Sequence, residues 1–87
     1  TIHHKDDYIL VASQGGAPNN PAWVYNLIDE PRIKMTINSK TYNMLAKKLS
    51  DEEKENLWPI IIEKAPFYDE YQRQTSRNIP VFLCSKE

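Results

Sequence analysis

The sequence is poor in cysteine and in long apolar runs, and each shortage excludes a class of protein. Its one cysteine, Cys84, leaves no partner for a disulfide within the chain, which fits a reducing compartment such as the cytoplasm. No apolar run approaches the ~20 residues that a membrane-spanning helix needs. We therefore expect neither a disulfide-stapled scaffold nor a transmembrane protein.

An excess of charge of one sign is also missing. Eleven Lys and Arg side chains and twelve Asp and Glu side chains leave a formal net charge of −1. Nucleic-acid-binding domains carry a basic patch, and so do segments held on anionic membranes, so neither partner is expected. With 87 residues, 40% of them hydrophobic, the chain suits one globular domain over residues 1–87 with a modest core.

Glycine is scarce, and both copies are adjacent, at Gly15 and Gly16. They follow Tyr8–Ala12, an apolar and β-branched stretch that predicts a buried strand. Glycine permits positive φ, so Ser13–Gly16 is either a plain turn or a loop whose backbone N–H groups bind an anion or a cofactor. The stretch matches neither the dinucleotide-binding pattern nor the P-loop pattern, and the residues alone leave both interpretations open.

The remaining segments predict strands and helices in alternation. Thr1-Ile2 reads as a strand end that a polar turn joins to Tyr8–Ala12. Asn20 suits a helix cap, with Pro21 in the first helical position. The predicted order is β-β-α-β-β-α-α-β, which indicates an α+β fold of about five mainly antiparallel strands with helices to one side or end.

Three further features of local structure are expected between residues 41 and 64. Thr41 to Leu49 predicts a strand, with a helix around Met44 as the alternative. Ser50 and Glu53 have the spacing of a capping box at a helix start. Pro59 should kink that helix or begin a new one, because it lacks an N–H.

Metal and nucleophile chemistry find little support in the sequence. His3 and His4 are adjacent, so on a strand they point to opposite faces, and no metal site is expected. Cys84 lies in an apolar stretch, where thiols are usually inert. Tyr68 and Tyr71, three residues apart on a short predicted helix, are either packing residues or two phenols at a pocket mouth that could donate a hydrogen bond to substrate.

Taken together, several motifs resemble one family. The stretch "VASQGGAPNNPAWVYNL" resembles the Val-Ala-Ser-x-Gly-Gly-Ala-x-x-x-Pro-x-Trp-x-x-Asn-Leu signature of the deazaflavin-dependent nitroreductases. Downstream, "EPRIKMTI", "LSDEEKENLWPIII" and "APFYDEYQRQTSRNIPVFLC" resemble the family's later motifs in the same order. The resemblance runs from Tyr8 to Cys84 without a gap.

This resemblance implies a split β-barrel similar to FMN-binding barrels and an 8-hydroxy-5-deazaflavin coenzyme of the F-420 type. The implied activity is hydride transfer to a small-molecule acceptor of the quinone, nitroaromatic or enone type, with Tyr68 and Tyr71 as catalytic residues. FMN is the alternative cofactor, and a non-catalytic binding domain is the alternative function. The cofactor-binding residues that the resemblance implies are Val11, Ala12, Ser13, Gln14, Ala22, Trp23, Val24, Tyr25, Asn26 and Tyr68.

The chain also departs from the family pattern. Members usually carry a basic leading segment, so we expect an N-terminally truncated barrel that lacks its first strand, and membrane-peripheral association only in a full-length form. An open sheet edge invites pairing with a second copy, which would make a homodimer. Gln14 stands where members often have lysine or asparagine, Val24 replaces a common aromatic residue, and Ala65 replaces a tyrosine.

Overall fold

The computed structural model describes residues 2–87. One antiparallel sheet has the strand order β1-β2-β5-β4-β3. The strands are β1 (Ile2–His4), β2 (Asp7–Val11), β3 (Arg32–Ile37), β4 (Lys40–Lys48) and β5 (Val81–Lys86). The helices are a short 3-10 turn (Gln14–Gly16), α1 (Ala22–Asp29), α2 (Asp51–Lys64) and α3 (Phe67–Gln74). The predicted order of elements and the α+β class with antiparallel strands are confirmed.

The sheet has a hydrophobic cluster on each face. Along β5, Phe82 and Cys84 pack with α1 on one face, whereas Val81 and Leu83 pack with α2 on the other. β5 lies at the centre of the sheet and buries successive side chains on both faces, so both faces need a cover. The prediction that the helices gather to one side or end of the sheet is therefore wrong.

The capping box at the start of α2 is confirmed. The Glu53 N–H donates to the Ser50 hydroxyl at 3.2 Å, and the Ser50 N–H donates to the Glu53 carboxylate at 2.9 Å. Pro59 lies inside α2, which runs on to Lys64, so no new helix begins there. Residues 40–48 form strand β4, so the helical alternative around Met44 is wrong.

The start of α1 differs from the sequence-based prediction. Pro21 is the N-cap residue, and no side chain caps the helix. Asn20 does not act as a cap, because its side-chain oxygen accepts a hydrogen bond from Arg77 Nη1 at 2.6 Å instead. The predicted hairpin is present as β1 and β2, while Thr1 lies outside the described residues. Within residues 2–87, no helix has both the length and the apolar character needed to cross a membrane.

Candidate functional site

The two glycines lie in the 3-10 turn directly after β2. Gln14, Gly15 and Gly16 have φ values of 45°, 63° and 80°. A Cβ on Gly15 would meet nothing within 4 Å, whereas a Cβ on Gly16 would lie 3.0 Å from Gln74 Oε1 and 3.1 Å from the Tyr71 carbonyl oxygen. Gly15 therefore serves the backbone conformation, and Gly16 also permits the loop to approach α3.

Arg77 holds the same loop from its other side. Its Nε donates to the Ala17 carbonyl at 3.1 Å, and its Nη2 donates to the Ser13 carbonyl at 2.7 Å. Its Nη1 donates to the Ala12 carbonyl at 3.0 Å, in addition to the Asn20 side chain. Arg77 was not among the residues predicted from the sequence, although it lies in the "TSRNIPV" stretch that resembles a family motif.

Helix α3 carries the two tyrosines of the predicted site. The rings of Tyr68 and Tyr71 are 6.3 Å apart between centroids, and both contact Phe67. Both tyrosines are half-buried, and neither phenol hydrogen-bonds to another residue of the described chain, 2–87. The close approach of Gly16 to Tyr71 places the glycine loop beside this helix, so the structure brings these two predicted parts together.

The first predicted cofactor segment, Val11–Gln14, is mostly buried. Ala12 is fully buried; its N–H donates to the Pro80 carbonyl at 2.9 Å, and its carbonyl accepts from Arg77. Val11 packs against the α2 cluster, Ser13 is buried, and Gln14 is exposed. Ala12 therefore shapes the loop, and Gln14 is the member of this segment that lies nearest the surface.

The second predicted segment lies at the start of α1. Trp23 is 38% exposed and packs against Phe82, with 5.9 Å between the ring centroids. Tyr25 is 56% exposed, and Ala22 and Asn26 are exposed too. Val24 is buried in the core, so its side chain does not reach the surface, unlike those of the other four.

A second polar cluster, centred on Lys54, was missed from the sequence. Lys54 Nζ donates to Gln72 Oε1 at 2.7 Å and to Asn78 Oδ1 at 2.5 Å, and lies 5.0 Å from the centroid of Trp58. Burial lowers the pKa of Lys54 to about 8. Clefts of about 510 Å³ and 440 Å³ flank Lys54, and neither is lined by a residue of the predicted cofactor site.

The remaining titratable candidates, Cys84 and His3, lie in packed positions on the sheet. Cys84 is fully buried, and burial raises the pKa of its thiol to about 11, so it stays protonated at neutral pH. His3 stacks on Tyr8, with 4.7 Å between the ring centroids. Within residues 2–87, no three His, Cys, Asp or Glu side chains gather in a way that could hold a metal ion.

Comparison with known proteins assigns the chain to a family. The model of the F420H(2)-dependent quinone reductase family matches residues 1–86. The chain belongs to this family. An F420H(2)-dependent quinone reductase of Mycobacterium tuberculosis strain H37Rv is 37% identical over 84 residues, which cover 93% of this chain and 56% of that protein. The chain thus spans about half the length of this relative.

Solved structures agree with this assignment. An F420-H2 dependent reductase superposes with a TM-score of 0.85 at 36% identity, covering 95% of this chain and 74% of that one. A protein described as a domain-swapped dimer superposes with a TM-score of 0.86 at 36% identity, covering 95% of this chain and 63% of that one. The resemblance inferred from the motifs is confirmed at the level of the F420H(2)-dependent family.

Proposed function

We propose that this chain binds the reduced 8-hydroxy-5-deazaflavin coenzyme of the F-420 type and transfers a hydride from it to a quinone. Nitroaromatic and enone compounds are electrophiles of the same kind and are proposed as further acceptors. The observation that carries the proposal is the family match over residues 1–86, together with a glycine loop that adjoins the tyrosine-bearing helix. FMN finds no support in these comparisons, since the relatives are named for F420.

The residues at the proposed cofactor site offer suitable chemistry. No side chain caps α1, and the Val24 N–H donates to the Pro21 carbonyl at 3.1 Å. The N–H groups of Ala22 and Trp23 donate to no acceptor within residues 2–87, so these two could donate to an anionic group of the cofactor. Trp23 and Tyr25 present aromatic surface beside that helix end, which suits a planar ring. Ser13 and Gln14 would border the cofactor from the loop, Ala22 and Asn26 from α1, and Val11, Ala12 and Val24 through main-chain shape alone.

We assign Tyr68 and Tyr71 to the acceptor. When bound, the reduced deazaflavin supplies the hydride. A phenol that donates a hydrogen bond to the acceptor oxygen stabilises the negative charge that develops there, and it can then supply a proton. Both phenols are without a partner elsewhere in the described chain, which leaves their donors for a ligand.

The test combines binding and turnover. Titration of the protein with the deazaflavin coenzyme and, separately, with FMN should show saturable binding of the first only. Tyr68→Phe and Tyr71→Phe should each lower kcat for quinone reduction by about 100-fold if their phenols stabilise the oxyanion. Tyr42→Phe is the matched control, because Tyr42 packs on the α1 face of the sheet and contacts Lys86.

The possible outcomes separate the candidate functions. Full turnover in both Tyr68→Phe and Tyr71→Phe would show that the phenols have no catalytic role. Cofactor binding without acceptor-dependent oxidation would favour a non-catalytic binding domain. Binding of FMN alone would favour an FMN-dependent oxidoreductase and refute the proposed cofactor.

The architecture and assembly of the domain are further parts of this proposal. We propose that residues 1–87 form one cofactor-binding domain whose coiled sheet corresponds to a split β-barrel, and that a second copy pairs at an open sheet edge. Support comes from the edge positions of β1 and β3 and from a structural relative described as a domain-swapped dimer. Light scattering after size exclusion tests the dimer, and the cytoplasmic location stays a prediction.

A further inference from the structure

We infer that Arg77 is a positioning residue that turns two loop amides, those of Ser13 and Gln14, toward the proposed cofactor. The inference rests on the proposed function for the identity of the ligand. Arg77 itself lies under the loop, so its effect passes through the backbone of residues 12–17 rather than through direct contact with the cofactor.

Within residues 2–87, all the hydrogen bonds of the Arg77 guanidinium go to the loop over residues 12–20. It donates four hydrogen bonds, at 2.6 to 3.1 Å, to three main-chain carbonyls and one side-chain oxygen. All four acceptors belong to a segment that lies 57 to 65 residues away in the chain. Among residues 2–87, Arg77 forms no ion pair, and all four acceptors of its hydrogen bonds are uncharged oxygens. Such a fork fixes several groups at once, which a point-like ammonium cannot do.

The direction of the amides follows from the geometry of the peptide unit. All peptide bonds among the described residues are trans, and in a trans peptide the C=O and the next N–H point in opposite directions. The Ala12 and Ser13 carbonyls point at the guanidinium, so the N–H groups of Ser13 and Gln14 point away from it. Neither N–H donates to an acceptor within the described part of the chain. Two such amides above a half-buried positive charge favour an oxygen that carries negative charge.

The tyrosine helix holds the segment that carries Arg77. Gln72 on α3 donates from Nε2 to the Arg77 carbonyl at 2.7 Å and accepts from the Ile79 N–H at 3.0 Å. The loop meets the same helix where Gly16 approaches Tyr71. Arg77 therefore links the proposed cofactor loop to the helix that would face the acceptor, so loop and tyrosines keep one relative position.

The experiment compares Arg77→Lys with Arg73→Lys as a matched control. Arg73 is an exposed arginine on α3 whose partners are Asp69 and Glu70. In the protein without cofactor, two-dimensional NMR should show shifted Ser13 and Gln14 amide signals in Arg77→Lys. The Gly16 and Ala17 amides, which donate within the turn at 3.0 and 3.1 Å, should exchange faster. Arg73→Lys should leave all four signals unchanged.

The second readout is the affinity for the deazaflavin coenzyme. A loop that holds its binding conformation only part of the time weakens apparent affinity by that fraction, so Arg77→Lys should raise Kd about tenfold or more. At saturating cofactor, kcat of Arg77→Lys should stay within about twofold of the wild-type value, because bound cofactor shifts the loop back to its binding conformation. Asn20→Ala, which removes one of the four bonds, should shift both readouts in the same direction by less, and it serves if Arg77→Lys does not fold.

The two readouts distinguish a failure of the positioning role from a failure of the proposed function. Unchanged loop amides in Arg77→Lys or in Asn20→Ala overturn the positioning role, whatever the cofactor is. Equal cofactor affinity of the wild type and these variants overturns it as well. If the wild-type protein does not bind the deazaflavin, the proposed function fails, while the amide signals still decide whether Arg77 positions the loop.

Discussion

Adding one methyl group at Gly16 should be far more damaging than adding it at the neighbouring Gly15. Both residues have positive φ, 80° and 63°, so each Ala variant adopts a left-handed conformation that costs about 1–2 kcal/mol. The alanine also restricts the unfolded chain, which returns about 0.4–1 kcal/mol to stability. Since Gly15 has open space around it, Gly15→Ala should lower the free energy of unfolding by only about 1 kcal/mol.

Gly16→Ala meets a second cost. Its Cβ would lie 3.1 Å from the Tyr71 carbonyl oxygen, which belongs to the backbone of α3 and cannot rotate aside. Overpacking of this kind costs about 1–3 kcal/mol, so the total loss should be about 2–4 kcal/mol. The difference from Gly15→Ala, about 2 kcal/mol, corresponds to a Tm lower by about 8–16 °C in a domain of this size.

Urea unfolding of the two variants and the wild type measures these free energies directly. Gln74 provides a further control, because its flexible Oε1 lies 3.0 Å from the added Cβ whereas its own Cβ, at 3.2 Å, remains in Gln74→Ala. Gln74→Ala should therefore recover only part of the loss in Gly16→Ala. Equal stability of Gly15→Ala and Gly16→Ala, within about 0.5 kcal/mol, would refute the close approach of loop and helix.

Two further predictions concern pH. Burial lowers the pKa of Lys54 from 10.5 to about 8, so between these pH values the folded state binds fewer protons than the unfolded state, and the free energy of unfolding should rise with pH. After a discount for solvent screening, this rise should be about 1 kcal/mol, and Lys54→Met should remove it in urea titrations. The hydrogen bond from the Ser50 N–H lowers the pKa of Glu53 from 4.5 to about 2, so the stabilisation from the Glu53 carboxylate is present above pH 4.5 and is lost as pH falls through 2. Glu53→Gln should remove this acid dependence in thermal unfolding. The same dependence in Glu53→Gln as in the wild type would contradict the prediction.

Much of the fold could be predicted because its signals are local. The Ser50 to Glu53 spacing forms a capping box through contacts three residues apart, and it is present. Asn20 carries an equally good local signal for a cap, yet a guanidinium 57 residues away takes its oxygen. A local pattern therefore holds where no distant group competes for the same atom, and it fails where one does.

The candidate site could be predicted only in part for the same reason. Motif resemblance indicated the glycine loop, the start of α1 and the tyrosines, but it named residues without regard to the direction of their side chains. Val24 lies in a helix whose buried stripe includes it, so it faces the core rather than the surface. Lys54 escaped notice because a single charged residue in a polar stretch carries no pattern of its own. Arg77 lies in a stretch that resembles a family motif, but its role depends on acceptors 57 to 65 residues away in the chain.

The order of strands and helices, the antiparallel α+β class and the family could be predicted from the sequence alone, since these follow from periodicity, capping and a motif order that runs along the chain. Three features are visible only in the folded structure: helices cover both faces of the sheet, Gly16 is needed for contact as well as for conformation, and Arg77 supports the loop. Each of these depends on groups that are far apart in the chain and close in the folded structure; β5, for example, comes last in sequence and lies at the centre of the sheet.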